Sequence, residues 1–365
     1  MSERLDGASP NSTPLGRRLA TQIAASGPIT VAQFMHACLH DPQHGYYATR
    51  PALGAGGDFI TAPLVSQMFG ELIGLWAVET WCGLGCPSPF ALIEIGPGDG
   101  TLAFDMVRAA RLDPAFVAAA DLWLVETSAP LAALQQSRLA GGALTPRWAA
   151  SLSGVPGGAP VIMIANELLD CLPARQFVRV ARGWGERVVG LNAMGDLTFG
   201  LTGAGPADLP AADVAEGAVV EICAAQAAIG SELGARISAQ GGAALLIDYG
   251  RDRFEPGDTL QALSRHTKVD PLSTAGEADL TVHADFPAVL AAAQAAGAQG
   301  RLLTQGAFLR RLGIEARAAA LSQAHPDQAP RLARQLARLI GDDQMGILFK
   351  ALCLYAADRD PPPAF

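Results

Sequence analysis

Apolar residues along the chain fall into two textures. From Leu15 to about Trp81 they recur every three or four positions, the spacing of helices with one buried face. The segment VAQFMHACL, opened by Pro28-Ile29-Thr30, places Val31, Phe34, Met35 and Leu39 on such a face. DPQHGYY and RPALGAGGDFITAP form a polar, glycine-rich loop, and Pro63 begins a second run that groups Leu64, Met68, Leu72, Leu75 and Trp76. Beyond that, short continuous apolar runs take over. FALIEIG (90–96), DLWLVE (121–126), Leu144–Trp148, PVIMIANE (160–167) and AALLIDYG (243–250) read as five buried strands, with helices over Thr101–Ala110 and Leu131–Leu139. Apolar strands alternating with helices predict an α/β fold, a mostly parallel sheet covered on both faces. FVRVARGWGERVVGLNAMGDLTFGLTG alternates and carries turn glycines, which predicts an inserted antiparallel hairpin. ILFKALCLY (347–355) predicts a last edge strand. The expected division is a disordered lead-in over 1–14, a helical cap over 15–85 and a sheet domain over 86–365, with insertions at about 176–220 and 255–297.

Composition narrows the picture. Half of the 365 residues are hydrophobic and only 6% aromatic, so Ala and Leu build much of the core. A formal charge of -9 argues against a nucleic-acid partner held by a general basic field. Of the six cysteines only Cys82 and Cys86 are close, and no second Cys/His pair stands at metal spacing. Reduced thiols in a cytosolic protein, with no metal, are the plain reading. No apolar stretch is long enough to span a membrane. MSERLDGASPNSTPLGRR has early acids and no apolar core, which reads as neither a secretory signal nor a transit peptide. The expected location is the cytoplasm.

The chemistry concentrates at LIEIGPGDG (92–100), where Gly96, Gly98 and Gly100 follow a strand around Pro97. A dinucleotide turn asks for G-x-G-x-x-G, and Thr101 stands where its third glycine belongs. Glu94 ends the strand beside the helix N-terminus, where its charge would repel a pyrophosphate and suit a cation. S-adenosyl-L-methionine carries a sulfonium and an ammonium and no phosphate. Glu126 ends the second strand about thirty residues on, the place from which a carboxylate accepts hydrogen bonds from both ribose hydroxyls. Its plainer alternative is a cap for the helix starting near Thr127.

Segments in order along nearly the whole chain carry a further likeness. GPITVAQFMHACLHDPQHGYY, GGDFITAPLVSQMFGELIGLW, LIEIGPGDGTL, LVETS, ANELLDCLPARQF, LLIDYG, VDPL, GEADLTVHADF and TQGAFLRRLGIEAR resemble the MidA family, bacterial relatives of the mitochondrial complex I assembly-factor arginine methyltransferase. The resemblance implies a class I methyltransferase, Rossmann-like with a mostly parallel seven-stranded sheet. It also implies S-adenosyl-L-methionine as cofactor and an arginine of a complex I subunit as acceptor. One departure is WAASL (148–152), where Ala149 and Ala150 replace the polar residue and Asp more usual in the family.

If arginine is the nucleophile, its guanidinium cannot be deprotonated in advance, and a carboxylate must orient it and accept the developing charge. Ligands of open α/β sheets sit at the carboxyl ends of strands. Glu167 is the first candidate for that carboxylate, with Asn166 to position it and Asp170 nearby; helix capping is the alternative for both acids. Asp248 and Tyr249 end the fifth strand and are candidates for the same mouth, with ordering of the loop as the alternative for Asp248. Asp58, Thr61 and Ser66, in and after the glycine-rich loop, are cofactor candidates, as is Thr127. His283 and Asp285, two residues apart, are a candidate proton-handling pair or substrate contact, with a structural, hydrogen-bonded His as the alternative. His36, His40, His44 and His266 are left as surface or core residues. Two other classes stay open: methylation of a different side chain or a small molecule, and an assembly chaperone on a methyltransferase fold. An Ala-rich helix over 315–340 is a candidate homodimer face.

Overall fold

The computed structural model describes residues 11–49, 61–205, 209, 214–264 and 266–365. The main sheet holds β1 (Phe90–Ile95), β2 (Ala120–Val125), β3 (Arg147–Ala149), β4 (Val161–Asn166), β5 (Gly242–Arg251), β6 (Ala284–Asp285), β7 (Ala298–Thr304) and β8 (Phe349–Ala356). Seven strands run in the order β7-β8-β5-β4-β1-β2-β3, and the short β6 joins the end of β5 as an eighth. Strands β1 to β5 pair in parallel, whereas β8 runs antiparallel between β5 and β7. The last strand is therefore interior: β7, which no apolar run announces, takes the edge. Strand order reverses at β1, the switch point at which such sheets bind ligands.

Why these runs make buried strands is visible at β1. Phe90 and Leu92 join the core on one face, Ala91 and Ile93 the core on the other. Both faces are covered by helices, so a strand polar on either side would strand its side chains in apolar surroundings. Helix α1 (Val31–His40) starts in a capping box between Thr30 and Gln33. Helix α2 (Gln67–Gly83) buries Met68, Phe69, Leu72 and Trp76, each contributing about 2 kcal/mol of hydrophobic stabilisation. Its expected partner Leu75 is 38% exposed. The run from Pro63 is also broken, because extended Ser66 separates a short helix Ala62–Val65 from α2 and accepts the Met68 N–H at 3.3 Å. Helix α3 (Thr101–Ala110) packs on α2, where Arg108 and Arg317 both grip Glu71.

The insertions are larger than a hairpin. Arg175–Val180, Gly183–Leu191, Leu197–Ala204 and Val219–Ile222 join Ile29–Thr30 in a five-stranded antiparallel sheet. Ile29 and Thr30 pair with Val189 and Val188, contacts across so much sequence that no local pattern announces them. Gln261–Ser264, Thr267–Val269 and Asp279–Thr281 form a second, three-stranded sheet. The Ala-rich segment 315–340 is two helices, Ile314–Ala324 and Ala329–Ile340, separated by a 3-10 turn at Pro326–Gln328.

Candidate functional site

The glycines after β1 all take positive φ: 68° at Gly96, 54° at Gly98 and 80° at Gly100. Side chains are strained there, so the loop is kept bare. A Cβ on Gly96 would stand 3.0 Å from Leu168, and one on Gly100 would stand 3.3 Å from Gln135. Gly100 caps α3, and Asp99 steadies the turn by accepting the Thr101 N–H at 3.0 Å. Arg138 pairs with Asp99 at 2.6 Å and also reaches the Thr101 hydroxyl. Helix α4 (Ala129–Leu139) supplies Arg138 and also Gln135, which is fully buried. The Gln135 amide donates to Gly98 O at 2.7 Å and Glu126 Oε2 at 3.1 Å, while its oxygen accepts from Trp148 Nε1 at 2.9 Å. One side chain thus fixes the glycine loop and the Glu126 carboxyl relative to each other.

Beside this loop lies a cavity of about 280 Å³. Glu94, Asp99, Glu126, Glu167, Asp170 and Asp279 line it, together with Asn166, Tyr47 and His40, and no arginine or lysine among the described residues does. Burial, reinforced by the charge of Asp99, pushes the Glu94 carboxyl up to about 8. Burial likewise lifts Glu167 to about 8, aided by Asp170 and Asp279 and opposed by hydrogen bonds from Ala62 and Asn166. Asp170 rises to about 6 by burial, against a stabilising bond from Tyr249. Glu126 is raised less, because the backbone N–H of Ser128 and the Gln135 amide stabilise its charge against burial.

Three buried acceptor atoms here have no partner among the described residues: Glu94 Oε2, Asn166 Oδ1 and Glu167 Oε2. Such atoms cost free energy until a donor meets them. Glu167 also sits at φ 51°, a strained backbone for a side-chain-bearing residue. Its Oε1 accepts from Ala62 N and Asn166 Nδ2, both at 3.0 Å, which ties the N-terminal segment to the end of β4.

Of the expected site residues, Glu94, Gly96, Pro97, Gly98, Glu126, Thr127, Thr61, Asn166, Glu167 and Asp170 meet at this cavity. Gly100 and Thr101 stand behind it and shape the turn. Asp58 lies outside the described residues. Ser66 serves α2 as its cap. His283 and Asp285 do not line the cavity, which goes against a catalytic pair and with the structural alternative. Asp285 caps helix α5 (Phe286–Ala295) and pairs with Arg251 at 2.6 Å, and the His283 ring lies edge-on to Tyr249. Asp248 is wholly buried and organises the loop, accepting the N–H groups of Leu169 at 2.8 Å and Asp170 at 3.2 Å. His40, left aside on sequence grounds, lines the wall, as do Tyr47, Cys171 and Asp279. Ala149 gives its carbonyl to the Glu126 N–H at 2.9 Å, and neither it nor Ala150 lines the cavity.

Comparison with known proteins meets this geometry directly. Residues 72–303, more than half of the chain, match the family described as "Putative S-adenosyl-L-methionine-dependent methyltransferase". The chain belongs to this family. It is 34% identical over 381 residues to the mouse (Mus musculus) mitochondrial protein arginine methyltransferase NDUFAF7, covering 95% of this chain and 85% of that one. The human (Homo sapiens) counterpart is 33% identical, with 95% and 84% covered. A COG1565 superfamily member from Burkholderia thailandensis, crystallised with S-adenosyl-homocysteine, superposes with a TM-score of 0.86 at 28% identity, over 100% of this chain and 98% of that one. The protein is thus an S-adenosyl-L-methionine-dependent methyltransferase of the MidA and NDUFAF7 group, on a mixed, mostly parallel α/β sheet. The cavity suits that cofactor: a bare glycine loop flanked by acids, carboxyls for an ammonium and a sulfonium, and orphan acceptors awaiting donors.

Proposed function

We propose that this methyltransferase acts on an arginine side chain of a protein, and that the acceptor is a subunit of respiratory complex I. The observation that carries the first part is the wall itself: six carboxyls and no arginine or lysine among its described residues, with Glu167 Oε2 and Asn166 Oδ1 buried and unmatched at the strand end. A guanidinium brings a charge and five N–H donors in one plane to meet such acceptors. The names of the mouse and human relatives support the arginine. The complex I subunit follows from the MidA resemblance.

When bound, S-adenosyl-L-methionine supplies a methyl whose bond to sulfur breaks as the bond to nitrogen forms. On this reading Glu94 meets the cationic end of the cofactor, Glu126 its ribose hydroxyls, and Thr61, Thr127 and the turn 96–101 complete its bed. Glu167 orients the guanidinium and takes the proton that the methylated nitrogen sheds; Asn166 holds Glu167 through its 3.0 Å bond. Closure by Pro63, Leu64, Leu131 and Leu168 keeps the charged groups away from bulk water, where they would be weaker.

Mass spectrometry of complex I subunits from cells with and without the intact gene tests the acceptor. A methylarginine present only with the gene is expected. Unchanged subunits, with methylation lost from another protein, would remove complex I from the proposal.

A further inference from the structure

Three acids line the cavity from the end of β4 and from the three-stranded insert, and they are not equivalent. Asp170 sits on the loop after β4, where its N–H is held by Asp248 at 3.2 Å. Glu167 keeps one buried oxygen unmatched. Asp279 comes from a different layer, the first residue of the strand Asp279–Thr281 in the three-stranded insert. It is 7% exposed, lines the cavity and is close enough to influence Glu167. Tyr47 donates its hydroxyl to Asp279 Oδ1 at 3.4 Å, and the His40 ring backs Tyr47 with centroids 5.7 Å apart.

Resting on the arginine reading above, we infer that Asp279, held by Tyr47, is the second carboxylate of the acceptor slot and selects a guanidinium over an ammonium. The chemistry follows from shape. A guanidinium is a flat fork with more than one donor edge, so it satisfies carboxylates reaching it from two elements at once. A lysine ammonium is a compact point charge and gains little from a second acid once the first is matched. Asn166 Oδ1, unmatched beside Glu167, adds an acceptor for a remaining N–H. The insert thereby brings the specificity group to a slot whose reactive side belongs to β4. Tyr47 acts as a positioning residue, because its hydroxyl fixes the carboxylate.

Calorimetry separates this inference from the reading beneath it. N-ethylguanidinium and n-butylammonium are titrated into the full-length protein loaded with S-adenosyl-homocysteine. The wild type is expected to favour N-ethylguanidinium by about tenfold or more, the scale of one charge-assisted hydrogen bond. Asp279→Asn should remove that preference and leave affinity for S-adenosyl-homocysteine unchanged. Tyr47→Phe, which retains the ring, should weaken N-ethylguanidinium several-fold with the same cofactor affinity; this variant decides the matter if Asp279→Asn does not fold. Guanidinium binding and preference unchanged in a folded Asp279→Asn, or in Tyr47→Phe if Asp279→Asn does not fold, would overturn the role of Asp279 and leave arginine standing. Absence of guanidinium binding to the wild type, with S-adenosyl-homocysteine bound, would overturn the arginine reading itself.

Discussion

The two ends of the cavity are built in opposite ways. At the glycine end, Glu94, the turn 96–101, Glu126 and Gln135 all come from one strand–helix–helix–strand–helix stretch of the chain. At the acceptor end, Tyr47, Glu167, Asp170 and Asp279 come from three separate regions. The first end is a local device whose parts position one another through short hydrogen bonds. The second is an assembly that exists only once the N-terminal segment, β4 and the three-stranded insert have met. Substitutions at the two ends should therefore part company: cofactor affinity should answer to the first, acceptor chemistry to the second.

The largest separation is expected from Glu167→Gln. The amide keeps an oxygen for Ala62 N–H and removes the charge, so transfer should fall by about two to three orders of magnitude, the range for losing one transition-state electrostatic partner. Affinity for S-adenosyl-L-methionine, measured by calorimetry, should stay within about twofold, since the lost charge faces the acceptor. Equal losses in both would merge the two ends into one site.

At the other end, Gln135→Leu should weaken cofactor binding by about tenfold, the scale of one net hydrogen bond. It leaves Gly98 O and Glu126 Oε2 without the amide that joins them. The KM for the acceptor at saturating cofactor should hardly move.

A third difference lies in pH. Without a guest, burial keeps the Glu167 carboxyl protonated up to about 8. A guanidinium prefers the ionised form, so its binding below that pH must expel a proton. Affinity for N-ethylguanidinium should rise by up to about tenfold per pH unit from 6 towards 8 and level off above. Glu167→Gln should flatten the profile.

The smallest effect concerns stability. Glu94 has its folded value raised to about 8, so its protonated form favours the fold. That contribution is complete below the ordinary carboxylate range and is lost as pH rises through about 8. Glu94→Gln, free of this loss, should gain a few degrees in melting temperature relative to wild type at pH 8 compared with pH 5.

Legibility in the sequence follows the same divide. The strand, acid, glycines and second acid could be read because they are neighbours in sequence, and each breaks a local rule for a physical reason: bare backbone, or an acid ending an apolar strand. Gln135 gave no such sign, since a glutamine in a helix is ordinary until its burial is known. Asp279 and Tyr47 were likewise silent, because their place depends on pairings such as Leu263 with Asp279 in a sheet with no periodic signature. His283 and Asp285 stayed ambiguous for the converse reason: two polar residues together can be chemistry or structure, and only the fold shows that helix α5 needs a cap and Arg251 a counter-charge. The pattern shows a hairpin in place of a five-stranded sheet because the pairing of Ile29 and Thr30 with Val189 and Val188 crosses most of the N-terminal half.

The central claim is that two buried carboxyls in this cavity, Glu94 and Glu167, are held largely neutral until a cation meets them. N-ethylguanidinium titrated into the complex with S-adenosyl-homocysteine at pH 7, in buffers of different ionisation enthalpy, tests it most directly, because the guanidinium holds its own proton throughout. The account requires net proton release from the protein on binding at pH 7, and tighter binding with little release at pH 9. Binding of equal strength at both values with no proton released at pH 7 would contradict it.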